Sequence, residues 1–402
     1  MMTVVPGITI RSAEPADADA ARLLHATAFT MHSDPEYRER SERLFTPADD
    51  IVAVEGDRVV GRIKARTMTL TVPGERTVPA TGIAGVAVSP MYRRRGILRA
   101  MYTEQHRRTE AAGVPLTIFT ASQGGIYARF GYGPSVRESR VTIDRRFAEF
   151  LSTTPDPGGV ELGELPAAEA AVKEIYDRWR RLTPGAQVRP DASWEIRFSD
   201  PAAWRDGGTA LFVLLHPDGY ALYRYHHRDA GTAVEIVEMR TVTTDAHAAL
   251  WRALFGLELV THIEAFLPEH DPLPYLLTDL RLVRTAGRHD TLWLRLMDVP
   301  AALTARAYRA DLDVVLAVHD PFREAGGTFA LAIRDGRAEC APTTRTPDIE
   351  LGIDVLGSLY LGAYPARVYA AANRLQAKDS RHLYDLEHAF SADRDAELGW
   401  HF

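Results

Sequence analysis

The sequence predicts an α+β protein of three stretches, the first two built on one plan and the third distinct. Its 402 residues exceed what a single core usually holds, and about 150 residues per domain points to two or three units. Strand-like hairpins and helix-like periodicities alternate along the whole chain. A weak internal repeat relates a segment near residue 90 to one near residue 240. Hydrophobic residues at 46% and charged residues at 25% are the ordinary mixture of a globular protein, enough for ample cores.

Taken in order, residues 1–152 begin with a short strand pattern, "GITIRSA", then Glu14, Pro15 and the helical "ADADAARLLHATAF". A hairpin follows in "DIVAVEGDRVVGRIKARTMTL", turning at Gly56-Asp57. The turn-rich "TTPDPGG" from Thr153 to Gly159 marks the first boundary. In residues 153–298 the helix pattern "AAVKEIYDRWRRL" leads to the hairpin "ALFVLLHPDGYALYRYHHR", with Asp218-Gly219 at the turn. A second boundary falls in "MDVPAALTARAY". Residues 299–402 carry a third hairpin, "TFALAIRDGRAECAP", turning at Asp335-Gly336, and two amphipathic helices between "IDVLGSLYLGA" and "YDLEHAF".

The repeat pairs "GIAGVAVSPMYRRRGILRAMYTEQHRR" with "VEIVEMRTVTTDAHAALWRALFGLEL". Each reads as an apolar strand, a short polar turn and a helix. The first copy has Arg93, Arg94, Arg95 and Gly96 where the second has Thr243, Thr244, Asp245 and Ala246. The leading N–H groups of a helix lack intrahelical partners and carry the positive end of its dipole, so a loop wrapping into a helix start cradles anions. Gly96 permits close approach and the arginines add charge-assisted donors, so only the first copy is suited to a polyphosphate. The strand before it, Val86 to Val88, could take an extended amide chain as an added strand.

Composition narrows the alternatives. With a net charge of −7 and its cations concentrated locally, the chain lacks a nucleic-acid footprint. Its start has no secretory signal pattern and no stretch reaches membrane-spanning length, so a cytoplasmic protein that binds no membrane is expected. Cys340 is the only cysteine, which excludes an intrachain disulfide and makes it an apolar filler, and no metal site is expected.

"RRRGILRAM", followed some thirty residues later by "GGIYARFGY", resembles the acetyl-CoA signature of the GNAT acetyltransferase superfamily, with Arg93 and Gly96 in place and Leu98 where a small residue is usual. Over nearly the whole chain, "TVPGE", "GIAGVAVSPMYRRRGILRAM", "GGIYARFGYGP", "LLHPDGYALYR", "DAHAALWRAL", "DPLPYLLTDLRL", "LWLRLMDVPAAL", "VLGSLYLGA" and the terminal Phe402 resemble the enhanced intracellular survival (Eis) family. That resemblance implies tandem GNAT-like domains, each a mixed sheet flanked by helices and the second without a cofactor site, followed by an α+β domain like sterol carrier proteins.

It also implies acetyl-CoA as co-substrate and a polyamine-like acceptor such as an aminoglycoside, acetylated at one or several amines by a homohexamer. The cofactor would be held by Val86, Ala87, Val88, Arg93, Arg94, Arg95, Gly96, Ile97, Leu98 and Arg99, with Ser122 and Gly124 beside them. Backbone N–H groups at Val86 and Val88 would polarise the thioester carbonyl. By the resemblance, Tyr127 is the acid that protonates the departing sulfur and the α-carboxylate of Phe402 is the base. Glu14, Met31, His32, Glu36, Tyr37, Gly85 and His401 would border the acceptor; Met31, His32, Gly85 and His401 depart from the acids and aromatics of mycobacterial members. Glu14, His25, His32 and His106 are further titratable residues that could serve as a base, while Phe130 and Tyr132 read as core. Two other readings are a protein lysine acetyltransferase and a non-catalytic protein binding coenzyme A or lipid.

Overall fold

The computed structural model describes residues 5–30, 43, 49–229 and 231–402. The chain forms two compact units that do not follow one another in blocks. One comprises Met1–Val136, Pro184–Ser193 and Thr291–Phe402, the other Arg137–Thr183 and Trp194–Asp290.

In the first unit β1 (Thr9–Ser12), β2 (Ile51–Glu55), β3 (Arg58–Val72) and β4 (Arg76–Val88) form an antiparallel meander. Period-two alternation sorts its side chains. Val52, Val54 and Val59 pack under α1 (Ala18–Phe29) through Ala21 and Leu24. Ile51, Ala53, Val60 and Ile63 pack with Ile97, Ala100 and Met101 of α2 (Ile97–Ala111). Helix α2 is the crossover to β5 (Leu116–Phe119), which lies parallel to β4.

Strand β6 (Gly133–Asp144) leads the chain into the second unit. There β7 (Glu161–Gly163), α3 (Leu165–Leu182), α4 (Asp191–Ser199, in this unit from Trp194 on), β8 (Phe212–His216), β9 (Gly219–Arg228), β10 (Gly231–Thr241), α5 (Thr244–Phe255) and β11 (Val260–Pro268) repeat the plan. An antiparallel meander is followed by a parallel crossover, β10–α5–β11, as β4–α2–β5 is in the first unit. The strand completing each sheet comes from a distant part of the chain. Residues 138–144 of β6 pair antiparallel with β11. After the short α6 (Leu273–Leu276), β12 (Val283–Leu296) returns to the first unit, where Trp293–Leu296 pair with Phe119–Leu116 of β5.

The rest of the first unit comprises α7 (Val299–Ala305), β13 (Leu312–Asp320), β14 (Ala325–Arg334), β15 (Arg337–Pro342), β16 (Ile349–Gly352), α8 (Ile353–Leu359), α9 (Ala366–Ala371), β17 (Leu375–Ala377) and α10 (Ser380–Phe390). Its five strands lie in the order β15-β14-β13-β16-β17.

The hairpins at Gly56-Asp57 and Asp335-Gly336 turn where expected. The middle one turns one residue earlier, at Pro217-Asp218, with Gly219 already opposite His216. Gly219 is needed for close packing: a Cβ there would stand 3.0 Å from Leu250 Cδ1 and 3.1 Å from the Arg240 carbonyl oxygen. Three helices rather than the two expected lie between "IDVLGSLYLGA" and "YDLEHAF", because Gly362 (φ +83) and Pro365 interrupt the apolar periodicity. Among the described residues no helix is long and apolar enough to cross a membrane.

Candidate active site

The centre of the first unit is a fork between β4 and β5. Their parallel pairing covers only Ala80–Gly82 against Leu116–Ile118. Further along β4, Gly61 faces Val88 and Arg62 faces Ala87, but Lys64 faces Ala84, so Gly85 and Val86 together oppose Ile63. This bulge, with Gly85 at φ +55, bends the strand. Among the described residues no strand pairs with 83–88 on the β5 side, so alternate amides of that segment have no ladder partner there. Val86 and Val88 are half-buried, whereas Ala87 is buried in the α1-side core.

Beyond Val88 the turn Pro90–Tyr92 leads to residues 93–96, all exposed, with Arg94 (φ +63) and Gly96 (φ +82) in the left-handed region. Gly96 caps α2 without any side-chain hydrogen bond, and the first turn of α2 has no acidic residue. In the second unit the N-terminus of α5 is closed by its own cap, as Thr243 accepts from the Ala246 N–H at 3.2 Å. An open, positively charged helix start therefore occurs in the first copy and not in the second.

The arginines divide. Arg95 is held by Glu55 at 3.1 Å and lies over the Tyr92 ring, whose hydroxyl donates to the same carboxylate at 2.6 Å. These contacts keep the Glu55 carboxyl below the usual range, the Tyr92 hydrogen bond contributing most. Arg99 is exposed, its guanidinium 5.0 Å from the Phe322 ring, while Ile97 is buried and Leu98 half-buried against the core.

Tyr127 sits between the short turns Gly124–Ile126 and Ala128–Phe130. It is 7% exposed, its ring 4.3 Å from Phe119 and 6.3 Å from Trp293. Burial pushes its phenol above the usual tyrosine range, with the Ser122 hydroxyl beside it acting in the other direction. The phenol therefore holds its proton at neutral pH. Ser122 and Gly124 are exposed, and Gly124 rests on Trp293.

The chain end reaches the same fork. The Phe402 carbonyl oxygen accepts from Thr120 Oγ1 at 3.4 Å, directly after β5. The Phe402 ring lies against β4, its Cε2 3.1 Å from where a Cβ on Gly82 would stand. Trp400, 4% exposed, anchors this tail: its N–H reaches Gln187 Oε1 at 3.3 Å and its indole N–H reaches the Val188 carbonyl at 3.2 Å. The segment carrying Gln187 is itself bound to β3, with Thr71 N–H to Ala186 O at 2.8 Å and Val188 N–H to Thr69 O at 3.1 Å. His401 is exposed.

The proposed acceptor residues are less gathered. Met31, His32, Glu36 and Tyr37 lie outside the described residues. Glu14 forms a capping box with Asp17 and pairs with Arg11 at 3.7 Å, ahead of α1. At the other end of α1, His25 Nδ1 stands 3.4 Å from where a Cβ on Gly85 would be. Burial first, then the cations Arg62 and Lys64, push its imidazole down to about 4. His106 is 1% exposed within 3.0 Å of the Tyr132 hydroxyl, in the core with Phe130. Cys340 is half-buried on β15, and burial pushes its thiol up to about 11, far from a reactive thiolate.

Thr120, Gln187 and Trp293 had no signal in the local sequence. Gln187 meets Trp400 across 213 positions of chain, and no pattern in "TPGAQVRP" foretells that partner.

The chain matches known proteins over almost all of its length. Residues 9–135 and 185–299 each match a model of the acetyltransferase (GNAT) domain, and residues 299–396 match the sterol carrier protein domain. It is 45% identical to the N-acetyltransferase Eis of Mycobacterium tuberculosis, over 98% of this chain and 100% of that one. An N-acetyltransferase of Streptomyces avermitilis is 34% identical over 89% of this chain and 90% of its own. The crystal structure of Eis1 from Mycobacterium abscessus superposes with a TM-score of 0.88 at 29% identity, covering 98% and 100% of the two chains. An open, cationic helix start beside a split pair of strands, whose counterpart in the second GNAT domain is capped and lacks the cations, thus agrees with sequence kinship along the full chain, which belongs to the Eis family of GNAT N-acetyltransferases.

Proposed function

We propose that this N-acetyltransferase transfers acetyl directly from acetyl-CoA, the donor that GNAT acetyltransferases use, to an amine of a polycationic small molecule such as an aminoglycoside. It does so as a cytoplasmic homohexamer, with Tyr127 as acid and the Phe402 α-carboxylate as base. The pantetheine chain lies as an added strand along residues 83–88, and the diphosphate meets the α2 start with Arg93 and Arg94. Alternate β4 amides polarise the thioester carbonyl as its oxygen gains charge. The neutral amine attacks the carbonyl carbon, the carboxylate takes the amine proton, the C–S bond breaks, and the Tyr127 hydroxyl gives its proton to the sulfur.

The observation that carries this reading is the placing of the chain end: Thr120 Oγ1 holds the Phe402 carbonyl oxygen at 3.4 Å, where β4 and β5 part. Its test is a short C-terminal extension, which displaces the terminal carboxylate while leaving the Trp400 anchor intact. The expected result is a fall in kcat of about tenfold or more with unchanged acetyl-CoA binding. Unchanged kcat in an intact assembly would remove Phe402 from the chemistry. Turnover measured across aminoglycosides, small polyamines and lysine peptides, with acetyl groups counted by mass, tests the acceptor; exclusive use of peptides would transfer the substrate class to protein lysines.

A further inference from the structure

Beneath the turn that carries Tyr127 lies a buried ion pair that touches neither thioester nor amine in the scheme above. Arg295, on β12 opposite Thr117 of β5, has no solvent exposure, and Asp320 at the end of β13 is 6% exposed. The guanidinium grips both carboxylate oxygens, Nη1 to Oδ1 at 3.2 Å and Nη2 to Oδ2. Nη1 also donates to the Phe130 carbonyl oxygen at 2.9 Å. Phe130 ends the turn that Tyr127 begins, and its own N–H donates to the Tyr127 carbonyl at 2.9 Å. Gly131 (φ +81) lets this turn sit directly on the guanidinium, since a Cβ there would overlap Nη1. Phe322, two residues beyond Asp320, stacks edge-on against Phe130 at 5.0 Å and His106 at 5.3 Å, covering the assembly.

A buried ion pair gives little net stability over well-packed apolar residues, because desolvating two charges offsets their attraction. What apolar residues cannot supply is the two-point grip, with the carboxylate on one side and the backbone of the Tyr127 turn on the other. We propose that the Arg295–Asp320 pair positions Tyr127, fixing the turn from Tyr127 to Gly131 so that the phenol is aimed at the leaving sulfur. Arg295 and Asp320 are therefore positioning residues, and β13 of the sterol-carrier-like part serves the acid as the chain end serves the base. This inference rests on Tyr127 being the acid.

Arg295→Lys tests it. An ammonium keeps the charge beside Asp320 but cannot span to the Phe130 carbonyl in the same geometry. With the best acceptor from the amine screen, kcat should fall about tenfold while the KM for acetyl-CoA stays within about twofold. In a Tyr127→Phe background the same substitution should cost nothing further, because the group it aims is gone. Losses that multiply in the double variant, or a wild-type kcat in Arg295→Lys, would overturn the proposal. If Arg295→Lys does not fold, Asp320→Asn, which preserves shape and one acceptor, enters the same cycle with the same expectations. A Tyr127→Phe enzyme with full kcat would overturn the acid assignment itself and the inference with it, an outcome distinct from failure of the cycle.

Discussion

Two histidines in the first unit are held neutral by their surroundings. Burial is the main cause for both. His25 is also repelled by Arg62 and Lys64, and His106 by Arg295 and Arg323. An imidazole is ordinarily half-protonated near 6.5, so the unfolded chain takes up these protons first as the solution is acidified. Stability contributed by neutral His25 is therefore complete above about pH 6.5 and is lost as the pH falls toward about 4. A His25→Gln variant cannot titrate there. The melting temperature of the wild type minus that of the variant should shrink steadily between pH 7 and pH 4.5, and a constant difference would show that His25 keeps its ordinary affinity for protons.

At the scale of the element, the β4 bulge, the turn after it and the α2 start work as one device. The bulge ends regular pairing, the fork leaves amides available, and the left-handed residues Arg94 and Gly96 swing the chain into the helix. Glu55 and Tyr92 hold Arg95 as a brace of the turn. Arg93→Ala and Arg94→Ala should therefore each raise the KM for acetyl-CoA about tenfold, the value of one charge-assisted hydrogen bond. Neither should alter the KM of a truncated acetyl-pantetheine donor without the diphosphate. Arg95→Ala should act chiefly on thermal stability. Equal effects of all three on the KM would mean that Glu55 does not retain Arg95 when the donor binds.

For the whole molecule, the exchange of final strands decides what can fold. Strand β5 is fully buried in Leu116–Phe119, and its outer neighbour is β12, which enters the sequence more than 150 residues later. A fragment ending at residue 152 exposes that edge and leaves Phe119 and Tyr127 without Trp293. It should aggregate or remain unfolded, whereas the full chain melts cooperatively. A soluble fragment with dispersed amide resonances and acetyl-CoA affinity would show that the first GNAT domain closes without β12.

Local chemistry in the sequence was enough for the class of fold, the repeated strand-turn-helix plan, two of the three hairpin turns and the open cationic helix start. Each depends on residues within a few positions of one another: the apolar run "IVAV" before the Gly56-Asp57 turn, the Asp335-Gly336 turn, Arg93 to Gly96 before an amphipathic helix. The shifted Pro217-Asp218 turn shows the limit, since Gly219 answers to the distant Leu250 rather than to its own turn. Only the tertiary structure decided which strands complete each sheet, that Gln187 and Val188 hold Trp400, that Thr120 meets Phe402, and that Arg295 joins Asp320 to the Tyr127 turn. Those partners lie from 25 to 282 residues apart, and long-range pairing depends on burial and backbone satisfaction across the whole fold, which no local pattern of residues encodes.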